Sequence, residues 1–175
     1  MTYRGLPQSI TGVTNFMKLV SLAGVLLCCE LLIGCAEMSL NIREPYQADP
    51  GHNFTYQIID NGKAPLEALS ILRERVIDQL DAAGLTTQSG SGEPRIVEIV
   101  VTKYQMRPSW EKLGVGSIGG TDWISTSIVV KDAISQAVLS RFEAESKYSS
   151  SLISPRRLMQ KHADKIVNYL KTGKP

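Results

Sequence analysis

The stretch that decides the fold is Pro65 to Gly84, PLEALSILRERVIDQLDAAG. Leu66, Leu69, Leu72, Val76 and Leu80, with Ile77 beside them, recur at three and four residues, which is the stripe of an amphipathic helix. Pro65 suits a first helical turn, and Gly84 suits a left-handed C-cap. Glu67, Arg73, Glu74, Arg75, Asp78 and Asp81 fill the other face, and solvent is their expected neighbour. One helix with one apolar stripe needs a surface to cover, so the flanking segments should supply a sheet.

They read as strands. On the N-terminal side, Asn53 to Asp60 (NFTYQIID) alternates Phe54, Tyr56 and Ile58 against Thr55 and Gln57, and Asn61-Gly62 closes it as a turn. On the C-terminal side, Leu85 to Thr87 has the character of a short strand, and Ser89 to Pro94 of a loop. Arg95 to Met106 (RIVEIVVTKYQM) is rich in β-branched residues and apolar on both parities, as a central strand would be. Asp122 to Lys131 and Ala137 to Tyr148 are two further strands, joined closely enough by Asp132 to Gln136 to form a hairpin. Ser154 and Pro155 then read as N-cap and first turn of a closing helix. Its stripe is Leu158, Met159, Ile166, Val167 and Leu170, and it stops near Gly173.

The expected fold is therefore α+β, an antiparallel or mixed sheet of about four to five strands with two amphipathic helices packed on one face. Residues 52–175 form this single domain. The chain of 175 residues, 43% apolar and 21% charged, has room for one such core. With 19 basic and 17 acidic residues its formal charge is +2, too balanced for a nucleic-acid binder.

Upstream, Leu19 to Gly34 (LVSLAGVLLCCELLIG) is a nearly continuous apolar run following Lys18. It is shorter than the roughly 20 residues of a membrane-spanning helix and has the layout of an export signal. Met17-Lys18 is the compact start such a signal favours, although Glu30 is an unusual guest in the apolar run. Leu32-Ile33-Gly34-Cys35 resembles the lipobox of bacterial lipoprotein precursors. The resemblance implies cleavage between Gly34 and Cys35, diacylglycerol on the Cys35 sulfur and a further N-acyl chain; no other cofactor is expected. Two or three acyl chains hold a protein on a bilayer stably, where one holds only marginally. Ala36 is not the Asp associated with inner-membrane retention, so the periplasmic face of the outer membrane is the expected address. The alternative is an uncleaved N-terminal anchor or a core helix. Residues 36–51, with Pro45, Pro50 and Gly51, read as a flexible tether between lipid and domain.

All three cysteines lie at or before residue 35, so the processed chain has no disulfide and no cysteine-based metal site. Gly114, Gly116 and Gly119 in LGVGSIGG match G-x-G-x-x-G, the spacing of a dinucleotide loop, but a β-like segment follows where a helix is required. Nucleotide binding is not expected. Residues 107–121, with Trp110 and the three glycines and with Trp123 just beyond, read instead as a candidate partner-binding loop. His52 and His162 have no partner at diagnostic spacing and read as surface histidines. Arg156 and Arg157 oppose the dipole of the closing helix, where phosphate or a partner acid would meet them; solvation is the default.

The layout also resembles small periplasmic lipoproteins of Gram-negative bacteria of the YajG kind. The shared features are a long helix ending A-x-G before a strand, as Ala82 to Gly84 does, and a glycine-rich stretch leading into a strand that ends in Asp, as Gly114 to Asp132 does. This turn departs from them in carrying Ser135-Gln136 in place of Thr-Gly. The reading that follows is a lipid-anchored, non-enzymatic envelope protein that binds a protein partner through a sheet edge or the 107–121 loop. A small envelope hydrolase or saccharide-binding enzyme is the alternative, with Trp110 and Trp123 beside Glu111 or Asp122 as its site.

Overall fold

The computed structural model describes residues 37–49, 51–86, 92–107, 120–149 and 153–175. Five strands and two helices follow in the order β1 (Glu37–Glu44), β2 (His52–Asp60), α1 (Leu66–Ala82), β3 (Glu93–Gln105), β4 (Asp122–Asp132), β5 (Val138–Tyr148) and α2 (Pro155–Thr172). The sheet order is β1-β5-β4-β3-β2. Only β2 and β3 run parallel, joined by the α1 crossover; every other neighbouring pair is antiparallel. The fold is thus a mixed five-stranded sheet with two helices, as the patterning implies.

The caps are those written in the sequence. Leu85 donates its N–H to Leu80 O and Gly84 to Asp81 O, the paired bonds of a Schellman ending, with Gly84 at φ 67°. Ser154 Oγ accepts the Arg157 N–H, Pro155 opens α2, and Gly173 at φ 64° closes it. A Cβ on Gly173 would stand 2.9 Å from Tyr46 O, so space as well as backbone angle demands glycine there.

The core lies between the helices and one face of the sheet. Val97, Ile99 and Val101 of β3, Ile124, Ile128 and Val130 of β4, and Phe142 and Ala144 of β5 are all buried. They meet Leu72, Val76 and Leu80 of α1 and Leu158, Ile166 and Tyr169 of α2. Phe142 and Tyr169 form an edge-to-face pair at 4.6 Å. Arg75 Nε and a terminal nitrogen reach both Asp164 carboxylate oxygens, linking the helices.

Three expectations need correction. Residues 36–51 are not all tether: Glu37–Glu44 is the edge strand β1, paired from Glu37↔Lys147 to Ile42↔Phe142. Its reason is in the residues, because Met38, Leu40 and Ile42 alternate with polar neighbours, and Leu40 and Ile42 pack on the core. The helical stripe of α1 is turned toward Ala68, Ile71, Leu72, Val76 and Leu80, leaving Leu66 85% exposed at the first turn. Of the short strand expected at Leu85 to Thr87, Thr86 makes a single parallel bridge to Phe54 against the edge of β2, and Thr87 lies outside the described residues.

Candidate functional site

The register gathers the chemically distinctive residues at the two ends of the sheet. At one end stand the C-termini of β2, β3 and β5, the N-termini of β1 and β4, and the first turns of both helices. The 107–121 loop leaves β3 and enters β4 here. Its base is clamped: Arg107 donates its backbone N–H (2.8 Å) and its Nε–H (3.3 Å) to Asp122 Oδ1, and a terminal nitrogen to Ser149 O at 3.2 Å. Both side chains of this ion pair are buried, at 4% and 0% exposure. Asp122, a candidate acid by sequence, is thus buried and bonded to Arg107 at the base of the loop. Trp123, one residue on, lies on the sheet face opposite the helices, with Lys103 Nζ 2.9 Å and Lys147 Nζ 4.5 Å from its ring centroid. Trp110, Glu111, Gly114, Gly116 and Gly119 lie outside the described residues, as do Gly34 and Cys35.

At the opposite end is a polar cluster that sequence patterning did not assemble. Tyr46 Oη and His52 Nδ1 are 2.7 Å apart, and Arg95 approaches His52 Nε2 at 3.3 Å. Arg95 can only donate, so Nε2 accepts and the ring proton sits on Nδ1, donated to Tyr46. Arg95 also pairs with Glu93 and Asp132. Asp132 accepts as well from Ser135, whose bonds hold its carboxyl below the usual range. Burial pushes the Tyr46 phenol up to about 12, against the opposing pull of Arg95. The cluster borders a cleft of about 420 Å³ lined by Gln47, Asp49 and Leu139 among others. Its parts come from three elements and from the segment after β1, which is why spacing alone does not reveal it.

His162, expected at the surface, is fully buried. Its Nε2 lies 2.9 Å from Thr126 Oγ1 and its Nδ1 2.8 Å from Ser146 Oγ, so one hydroxyl donates and the other accepts. Burial drives its pKa down to about 3, and the ring is neutral. Lys161 as its sequence neighbour says nothing of this, because His162 lies on the same helical face as Leu158 and Ile166.

A larger cleft, about 520 Å³, runs along the outer edge of β2 against α1, between Tyr56 and Ile58 on one side and Arg73, Ile77 and Asp81 on the other. Only the start of that edge is covered among the described residues, where Phe54 donates its N–H to Leu85 O. Among the described residues no three His, Cys, Asp or Glu side chains converge as a metal site, and no helix is long and apolar enough to cross a membrane.

No family model matches the chain, and no curated protein matches it either. Among solved structures it is similar to the PelC dodecamer of Paraburkholderia phytofirmans, at 12% identity and a TM-score of 0.53, covering 79% of this chain and 99% of that one. A single-substitution variant of the same dodecamer gives 0.51 at 12% identity, with 78% and 98% covered. A candidate lipoprotein from Caulobacter crescentus also matches, at 15% identity over 70% and 88%, with a TM-score of 0.39. What the two PelC structures share with this chain is the fold.

Proposed function

We propose that the chain is a lipid-anchored protein of the cell envelope that works by binding, not turnover, and that its first partner is a second copy of itself. The anchor is the lipid on Cys35, and the address is the periplasmic face of the outer membrane. The observation that carries the reading is the edge of β2, which among the described residues is uncovered beyond Phe54, beside its 520 Å³ cleft, with β1 as the other edge of the same sheet. Exposed edges are templates for strand pairing. Joining β1 of one copy to β2 of the next is a head-to-tail contact, which closes into a ring when the rotation permits. PelC, of similar fold, is described as a dodecamer, and the proposal carries that mode of assembly to this chain.

The non-enzymatic part is supported by the occupation of the chemically capable groups. The Asp122 carboxylate holds Arg107, His162 is buried and neutral, and His52 bonds to Tyr46 and Arg95. The test uses the processed lipoprotein in mild detergent. Light scattering should report a multimer, and a photo-crosslinking residue at exposed Arg73 should give a chain-to-chain adduct mapping to 37–44. A monomeric mass with no adduct would overturn the assembly. Hydrolysis of an envelope saccharide, lost in Glu111→Ala with folding intact, would replace binding by the enzymatic reading.

A further inference from the structure

We infer that the end of the domain carrying the first turns of both helices is a membrane-docking surface, seated on phospholipid, and not merely held near it. The inference rests on the lipid-anchored reading of Cys35. Its first observation is where the chain enters. β1 begins at Glu37, two residues after Cys35, and two fully extended residues span at most about 7 Å. An acyl group on Cys35 therefore holds the start of β1 close to the bilayer, with no long tether to let the domain stand away.

The second observation is what shares that end. Glu37 pairs with Lys147, which pairs with Trp123, which pairs with Gln105; β2 ends beside β3 at Asp60↔Val101. Both helices start there. Between their first turns lies a cleft of about 280 Å³, walled by Pro65, Ala68, Ile71, Pro155 and Met159, with Tyr104 and Arg156 beside them. Leu66, next to Pro65, is 85% exposed. A mainly apolar opening, lined also by Glu67, Ser154 and Arg156, with an exposed leucine beside it suits lipid acyl carbons.

The third observation is charge. Arg156 and Arg157 are exposed in the first turn of α2, and Lys63 is exposed just before α1; among the described residues none of the three forms an ion pair. Arginine at a helix N-terminus opposes the dipole and gains nothing there from the fold, whereas a headgroup phosphate would satisfy both. Glu37, Asp60 and Glu67 stand at the same end, so the basic groups act as local phosphate contacts and not as a broad positive field. The far end offers a built-in reference. Ile134, in the β4–β5 turn, is equally exposed at 84%, but lies beyond an 11-residue strand, or about 35 Å away along it.

The experiment places an environment-sensitive label at Leu66→Cys or Ile134→Cys in the processed lipoprotein. Each is reconstituted in phosphatidylethanolamine–phosphatidylglycerol vesicles carrying nitroxide-tagged acyl chains, after its intact mass has been read. The label at 66 should be quenched several-fold more than the label at 134, and Arg156→Glu with Arg157→Glu should reduce that difference while the protein stays on the vesicles. Equal quenching at both positions in an acylated protein overturns the docking surface alone. A mass without acyl groups overturns the anchor and the docking surface together.

Discussion

Two polar clusters, each built around a histidine, behave as opposites in this molecule. His162 sits sealed between α2 and the sheet with two hydroxyls as its partners, and at the loop base the buried Arg107 and Asp122 hold each other. His52 sits at the far end with Tyr46 and Arg95, against a cleft open to solvent. The sealed groups have exchanged water for fixed partners, so their removal leaves a buried charge or dipole with nothing to replace it. The far-end groups border water instead: His52 and Asp132 are half-buried beside the cleft, although Tyr46 and Arg95 are themselves buried. The difference teaches that polarity sealed in this core serves shape, whereas the far-end cluster helps to line a cleft.

The comparison is broken most severely at the sealed ion pair. Asp122→Ala leaves Arg107 buried without its carboxylate and should lower stability by about 3 to 5 kcal/mol, the range for removing one partner of a buried pair. Urea unfolding of the single variants and of the Arg107→Ala, Asp122→Ala double variant checks it. The double variant should fall well short of the sum of the singles, because the second change removes the group the first left unpaired. Additive losses would mean that the pair is not the clamp of the loop.

Next in size is the acid response of His162. Its pKa is depressed to about 3 in the folded protein and lies near 6.5 when unfolded, so the unfolded chain binds the proton more readily. Stability is therefore full above about pH 6.5 and declines as pH falls from there toward 3. At pH 5 the loss should be about 2 kcal/mol from this residue. His162→Gln keeps a donor and an acceptor near Thr126 and Ser146, and should flatten that decline even where it lowers stability at neutral pH. An unchanged slope in the variant would assign the acid response elsewhere.

How far the sequence reaches can be judged from the same residues. The two helices, their glycine and serine caps, and strands β2 to β5 are legible because period and capping are local properties. β1 escaped because Pro45, Pro50 and Gly51 dominate the segment, although Met38, Leu40 and Ile42 alternate within it. Asp122 was legible as a carboxylate beside an aromatic residue, but its occupation by Arg107 depends on a contact closed across the loop. The Tyr46, His52, Arg95 and Asp132 cluster was not legible at all, since it is assembled by strand register between segments up to 86 residues apart. Burial of His162 was recoverable in principle, four residues from Leu158 and four from Ile166 on one helical face.

At the open cluster the effects should shrink. Tyr46→Phe removes the hydroxyl that meets His52 and should lower stability by about 1 kcal/mol, the net value of one hydrogen bond. In the native protein the Tyr46 phenol ionises near pH 12, against about 10 when unfolded. Its contribution is present below pH 10 and is lost as pH rises toward 12. Alkaline titration by phenolate absorbance should show one late-ionising tyrosine missing from Tyr46→Phe.

The sharpest form of the comparison uses a pair between the two extremes. Arg75 and Asp164 join α1 to α2 with a two-point contact, yet their side chains are 34% and 39% exposed. Water and salt reach such a pair, and holding two long side chains in one geometry offsets much of its attraction. A double-mutant cycle with Arg75→Ala and Asp164→Ala should give a coupling of about 0.5 to 1 kcal/mol that shrinks as salt is raised. The Arg107–Asp122 coupling should be larger and nearly indifferent to salt, because mobile ions do not enter its buried site. Equal salt dependence in the two cycles would mean that the loop base opens to solvent, and the division into sealed and open clusters would then have to be drawn at His162 alone.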